Sequence, residues 1–130
     1  MDSRRLSTYL DTHAAVWLYA GRVEEFSPAV LAEVESAELR ISPIVLLEIR
    51  LLQEIGRIDA GPDDILNVLR RDIGLTVCAI AFPDVVLASF AESWTRDPFD
   101  RLIVAHAKAG KGKLISKDRK IRLAFNRAVW

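Results

Sequence analysis

Five carboxylates in this chain matter for where they fall. Asp11 and Asp118 each follow a short apolar run, Asp97 and Asp100 bracket Pro98-Phe99, and Glu48 lies at three- and four-residue spacing from Ile44, Val45, Leu51 and Leu52. Residues so spaced share one helix face. Glu48 is therefore expected inside an apolar stripe, where an ionised carboxylate is costly unless it is paired or coordinates a metal. An arginine could equally satisfy it. Acids gathered at one place repel and raise one another's pKa unless a cation lies between them. Hard divalent ions such as Mg2+ or Mn2+ take oxygen ligands, usually one or two carboxylates with waters filling the rest. Such an ion can acidify a bound water and stabilise charge on a phosphoryl group during displacement. Each aspartate also has an ordinary explanation: Asp11, Asp97 and Asp118 suit helix N-caps, and Asp100 suits a first helical turn.

The residues around these acids extend the same chemistry. Thr12 and Ser116 place hydroxyls beside Asp11 and Asp118, where they could orient carboxylates or waters, although both are also common strand-end residues. Residues 1–100 hold nine arginines, no lysine and seventeen acids, a balance of −8; residues 101–130 hold nine bases and one acid, Asp118, a balance of +8. This split suits a polyanionic partner for the C-terminal part, or a basic face complementing the acidic remainder. Acids to hold a metal next to bases to hold phosphates are what a nuclease needs. His13 and His106 do not make a zinc pattern and are expected to pack or face solvent. Trp17, Trp94 and Trp130 are assigned to the core or an interface rather than to base stacking.

The elements that must position these groups can be read from periodicity and caps. Leu6–Leu10 reads as a strand, followed by a helical segment from Ala14 to Tyr19 closed by Gly21. Ser27-Pro28 opens a helix to about Ser36. Leu39–Ser42 is a second strand, and an apolar helix from Ile44 to Ile55 stops at Gly56. Pro62-Asp63-Asp64 opens a helix to about Arg71, and Leu75–Ile80 is a third strand. Pro83 begins a helix ending near Trp94. Asp97 opens another that runs to Ala109, and Gly110 and Gly112 end it. Lys113–Ser116 is a fourth strand, with a fifth expected within Arg127–Trp130. Strands alternating with helices indicate an α/β domain with a mostly parallel sheet covered on both faces. In such sheets ligands bind beyond the carboxyl ends of the strands, where Asp11 and Asp118 fall.

At 130 residues the chain suits one domain, over residues 1–130, and its 51% apolar and 28% charged content is that of a folded globular protein. No apolar run approaches the roughly 20 residues of a spanning helix, so no membrane role is expected. The N-terminus shows no secretory signal pattern. The single cysteine, Cys78, sits in an apolar stretch and reads as a small core residue in a reducing, cytoplasmic setting.

Four segments, in order, resemble PIN-domain ribonucleases, and among them the toxins of VapBC-type toxin–antitoxin pairs. They are Leu10-Asp11-Thr12-His13, Ser42 to Ile49, Arg96-Asp97-Pro98-Phe99-Asp100-Arg101 through Ala107, and Leu114-Ile115-Ser116-Lys117-Asp118. The likeness spans Tyr9 to Trp130, and the Arg96–Arg101 segment is its most specific part. It implies a PIN-like three-layer α/β/α fold with a mostly parallel, roughly five-stranded sheet. It makes Asp11, Glu48, Asp100 and Asp118 an acidic quartet, with Asp97 an additional acid. It also implies Mg2+ or Mn2+, hydrolysis of RNA, homodimerisation, and inhibition by a cognate antitoxin. On this reading Asp11, Asp100 and Asp118 bind the metal, while Glu48 and Asp97 orient waters. Arg101, Lys117 and Arg119 are the candidates for phosphate contact. Two positions depart from the commoner pattern: Leu47 stands where many relatives carry an aromatic residue, and Ser116 where threonine is commoner.

The same residues bear on three rival readings. A phospho-receiver domain needs an acceptor Asp at the end of the third strand, where Cys78-Ala79-Ile80 stands instead. A haloacid-dehalogenase-type phosphatase needs a second Asp two residues after Asp11, where His13 stands. A catalytically inactive PIN-like RNA- or protein-binding module is separable from the nuclease only by an activity assay.

Overall fold

A computed structural model describes residues 6–130. Five strands, β1 (Ser7–Leu10), β2 (Glu38–Ile41), β3 (Thr76–Val77), β4 (Lys113–Ile115) and β5 (Ala128–Val129), form one sheet in the order β3-β2-β1-β4-β5. Every pairing is parallel. Seven helices connect and cover them: α1 (Thr12–Tyr19), α2 (Pro28–Ser36), α3 (Pro43–Glu54), α4 (Pro62–Ile73), α5 (Phe82–Ser89), α6 (Pro98–Ala109) and α7 (Arg119–Ala124), with a 3-10 turn at Val23–Glu25. The result is the three-layer α/β/α arrangement expected of a parallel sheet whose crossovers are helical. Among the described residues, no helix is long and apolar enough to cross a membrane.

The chain builds outward from β1 through β2 to β3, then returns to the other side of β1 for β4 and β5. Strand order therefore reverses between β1 and β4, and a crevice opens beyond the carboxyl ends of those two strands. Burial follows from this topology: Tyr9, Leu10, Leu39, Ile41, Leu114 and Ile115 on the three inner strands are at most 1% exposed. Parallel strands covered on both faces read as continuous apolar runs for that reason. The β1–β4 seam also needs two small residues. A Cβ at Gly110 would meet the Tyr9 hydroxyl, and one at Gly112 would run into the Ser7 carbonyl oxygen and the Tyr9 ring.

Local chemistry sets most helix starts. Ser27 and Ser42 accept from the N–H groups of Val30 and Ile44, both at 3.2 Å, and a proline follows each. These are N-caps with proline in the first turn. Helix α4 carries Asp63 and Asp64 in its first turn and Arg70 and Arg71 in its last, which complements its dipole. It ends at Gly74 with φ 71°, the left-handed conformation that favours glycine.

The structure corrects three boundaries. Strand β3 covers Thr76–Val77 rather than Leu75–Ile80, because its partner β2 turns into α3 at Ser42-Pro43. The Cys78 N–H still reaches the Ile41 carbonyl at 2.8 Å, and the ladder ends there. Helix α5 stops at Ser89 rather than near Trp94. Beyond it the N–H groups of Phe90, Ala91 and Glu92 bond three residues back, in tight turns. Glu92 then folds inward, 2% exposed, and accepts from Trp94 Nε1 and Lys108 Nζ, both at 2.8 Å. That buried acid ties the α5–α6 connection to α6. The third correction is α7, a helix in the basic segment after Asp118 that periodicity reading passed over.

Candidate active site

The five acids reach the crevice from four parts of the chain. Asp11 follows β1 directly, Asp118 follows β4 by three residues, Glu48 stands on the second turn of α3, and Asp97 and Asp100 open α6. All five line one cavity of about 460 Å³, together with Thr12, His13, Trp17 and Lys117. The backbone stitches its floor: the Asp11 N–H donates to the Ile115 carbonyl at 3.1 Å, closing the β1–β4 seam beneath the acids.

Three of the acids cap helices while they face the cavity. Asp11 Oδ1 accepts from the Ala14 N–H at 2.9 Å at the start of α1. Asp97 Oδ1 accepts from the N–H groups of Phe99 and Asp100 at 2.8 and 3.3 Å. Asp118 Oδ1 accepts from Lys120 and Ile121 at 2.8 and 3.3 Å. In Asp97 and Asp118 the capping bonds use one oxygen and leave Oδ2 outside them. The capping role and the site role are thus compatible, because a cap brings the carboxylate to the top of a helix that starts at the crevice.

Glu48 is half-buried and accepts from Thr12 Oγ1 at 2.5 Å. Among the described residues no arginine or lysine pairs with it. Its helix differs from expectation in one respect: Val45 and Ile49 are buried, but Leu47 and Leu51 are 49% and 39% exposed. The apolar character of α3 is therefore not one buried stripe, and Glu48 lies at its edge, turned to the cavity. Thr12 and Ser116 are both buried. Ser116 Oγ accepts from the Asp118 N–H at 3.1 Å.

The electrostatics record the crowding. Burial pushes the Asp11 carboxyl above its ordinary range and Glu48 adds to the rise, against the opposing pull of Ser116, Ala14 N–H and His13. Asp100 is pushed up to about 7, first by burial and then by the charges of Asp97, Asp118, Glu48 and Asp11. A carboxyl raised by burial and by four neighbouring acids belongs to a cluster that a bound cation would relieve. Lys117 does not supply that charge, since its Nζ pairs with Glu25 Oε1 at 3.1 Å. Among the described residues no three His, Cys, Asp or Glu side chains close into a ready-made cage. An open ring of acids suits Mg2+ or Mn2+, which keep several waters between themselves and the protein.

The remaining sequence candidates divide. Lys117 lines the cavity and is exposed. Arg119 is exposed on α7 outside the lining, and Arg101 turns its Nε to the Thr95 carbonyl at 2.7 Å. Trp17, expected in the core or at an interface, packs against the core and also reaches the cavity wall. The signal was present in its spacing from His13, four residues on, which sets the two rings 5.8 Å apart on the same face of α1. His106 is fully buried, with Nδ1 2.7 Å from Ser42 Oγ and 3.2 Å from the Leu102 carbonyl.

Comparison with known proteins identifies the family. The PIN domain family matches residues 8–126. Ribonuclease VapC22 of Mycobacterium tuberculosis (strain ATCC 25618 / H37Rv) is 33% identical over 120 residues, covering 87% of this chain and 88% of the relative. Among solved structures, VapBC2 from Rickettsia felis bound to a promoter DNA fragment superposes with a TM-score of 0.67 at 15% identity, covering 95% of this chain and 96% of that one. A toxin–antitoxin complex from Klebsiella pneumoniae gives 0.67 at 19% identity, with 95% and 96% covered. DNA-bound VapBC from Salmonella typhimurium gives 0.53 at 21%, with 85% and 83% covered. At these identities the structural likeness is one of fold.

Proposed function

Since the chain belongs to the PIN-domain family, we propose that it is a Mg2+- or Mn2+-dependent endoribonuclease, the toxin of a toxin–antitoxin pair. The observation that carries this reading is the set of five carboxylates lining one cavity at the reversal of strand order, with Asp100 pushed up to about 7 first by burial and then by its acidic neighbours. The likeness to Ribonuclease VapC22 supports RNA as substrate. The fold shared with VapBC toxin–antitoxin assemblies supports an antitoxin partner; action in the cytoplasm, homodimerisation and a single PIN domain over residues 1–130 belong to the same proposal.

Asp11, Asp100 and Asp118 would hold the cation. When bound, it would lower the pKa of a water and offset charge on the phosphoryl oxygens. Glu48, fixed by the Thr12 hydroxyl, and Asp97 would orient the attacking water. Hydrolysis forms a bond from that water's oxygen to phosphorus and breaks the bond to the leaving ribose oxygen, which takes up a proton. Ser116 supports Asp11 and the turn into Asp118 from below. Lys117 would contact phosphate at the cavity, with Arg119 and Arg101 further along the strand's path.

The test is cleavage of single-stranded RNA with Mg2+ or Mn2+ and a chelator control, for the parent and for Asp11→Asn. The variant keeps an oxygen for the Ala14 cap, so it should fold and lose cleavage. Full activity in Asp11→Asn refutes the assignment, and a folded parent that cuts nothing leaves the binding-module reading in its place.

A further inference from the structure

One group beside the acid ring has no part in the chemistry above. Trp17 forms part of the cavity wall, with Lys117 Nζ 5.4 Å and the Arg22 guanidinium 5.9 Å from its ring centroid. Phe26 and Trp130 pack against the indole, edge-on and tilted, at 6.4 and 5.7 Å between centroids. The two cations do not point away from each other. Both are held by one carboxylate, Glu25, whose Oε2 lies 2.6 Å from Arg22 and whose Oε1 lies 3.1 Å from Lys117, while Arg22 Nε also lies 3.6 Å from Glu24 Oε2. An aromatic face on the wall of a cavity, flanked by two bases that already share an anion, is the equipment that single-stranded nucleic-acid sites use. Base stacking on the ring and backbone neutralisation by the cations act together there.

We propose that Trp17, Arg22 and Lys117 form a nucleotide subsite next to the acid ring, in which a phosphate of single-stranded RNA displaces the Glu25 carboxylate and the adjoining base stacks on Trp17. Glu25 stands in for the phosphate in the free protein. It keeps the two cations paired and lying over the indole. An incoming phosphate carries more acceptor oxygens than a carboxylate and draws both cations to itself, which opens the ring to a base. Only an unpaired strand presents a base face for this contact. Along α1, Trp17 lies six residues beyond Asp11, about 9 Å at 1.5 Å per residue. The subsite therefore receives a nucleotide close to the bond being cut. It rests on the ribonuclease reading for its substrate class.

The test is equilibrium binding of a fluorescent single-stranded RNA oligonucleotide to the Asp11→Asn protein by anisotropy, across a salt series, so that no turnover is needed. Trp17→Leu should weaken binding about tenfold or more, within the range measured for stacking platforms, and Trp17→Phe should recover most of it. Glu25→Gln should tighten binding severalfold, because the competing anion is gone. Lys117→Met should reduce the salt slope by about one. Thermal melts establish that each variant is folded; should Trp17→Leu fail to fold, Glu25→Gln carries the decision. Unchanged affinity in folded Trp17→Leu, or weaker binding in Glu25→Gln, overturns the subsite. RNA that binds as described but is never cut by the parent protein sinks the ribonuclease reading and leaves the subsite standing. RNA cut with a KM indifferent to Trp17 does the reverse.

Discussion

Replacing Asp100 by asparagine should make the metal-free protein more stable, and the gain should grow with pH. In the fold the carboxyl is pushed up to about 7, against an ordinary value of 3.8, by burial and by four neighbouring acids. The sign follows from linkage: a group whose folded pKa is raised contributes stability that is present below its unfolded pKa and lost as pH rises through the folded one. Each unit is worth about 1.36 kcal/mol, so the full penalty of ionised Asp100 above pH 7 is roughly 4 kcal/mol. Near pH 5 it is roughly 1.5 kcal/mol, because there only the unfolded carboxyl is ionised. The advantage of Asp100→Asn should therefore widen by roughly 2–3 kcal/mol between pH 5 and pH 8. At about 3–5 °C per kcal/mol for a domain of this size, that is a readable change in Tm. The assay is a set of thermal melts with chelator present at both pH values, repeated with Mn2+. On the proposed reading Mn2+ would bind only the folded form, and so should stabilise the parent and do so far less in the variant. A gap between parent and variant that is flat with pH, or a variant less stable throughout, would refute the claim that these acids crowd one another.

Two further perturbations test the frame around the site. His106 joins α6 to the cap of α3 through Ser42, and burial draws its pKa down; a histidine so depressed supports stability above its ordinary 6.5 and loses it as pH falls below that. His106→Ala should cost roughly 2–4 kcal/mol, and His106→Asn, which can still donate to the Leu102 carbonyl, should cost less. Because this slope opposes that of Asp100, it is best read by urea titration in the Asp100→Asn background, where a pH-independent midpoint would count against the buried neutral imidazole. Gly112→Ala should cost roughly 2 kcal/mol or more through its clash with Ser7 and Tyr9; a urea midpoint within experimental error of the parent would mean that the β1–β4 seam tolerates a side chain.

Where local chemistry decides the structure, the sequence was legible. Asp11, Asp97 and Asp118 announce themselves as caps, and the strand-then-Asp pattern places two of them at the sheet edge before any fold is known. Ser27-Pro28 and Ser42-Pro43 mark helix starts for the same reason. What was not legible depends on partners distant in the chain. The length of β3 is set by where β2 ends, and the end of α5 by Glu92 finding Lys108 sixteen residues later. Leu51 reads as part of a buried stripe, yet it is 39% exposed, because an apolar residue on a helix says nothing about which face has a neighbour. Helix α7 was hidden by its charge: the run after Asp118 reads as a basic tail, although Ile121 and Phe125 at four-residue spacing are both buried. The charge split resolves in part as internal pairing, with Lys108, Lys113 and Lys117 meeting Glu92, Glu33 and Glu25.

The double employment of Asp11, Asp97 and Asp118 has an evolutionary corollary. Were such a chain to lose its substrate, drift to alanine at these positions would still be opposed, because three helix starts would come undone, each by about 1 kcal/mol. Among the capping residues, asparagine changes the shape least while abolishing the anion. A lineage abandoning nuclease chemistry should thus carry Asn where its ancestors carried Asp, and the architecture would outlive the reaction by a single isosteric exchange.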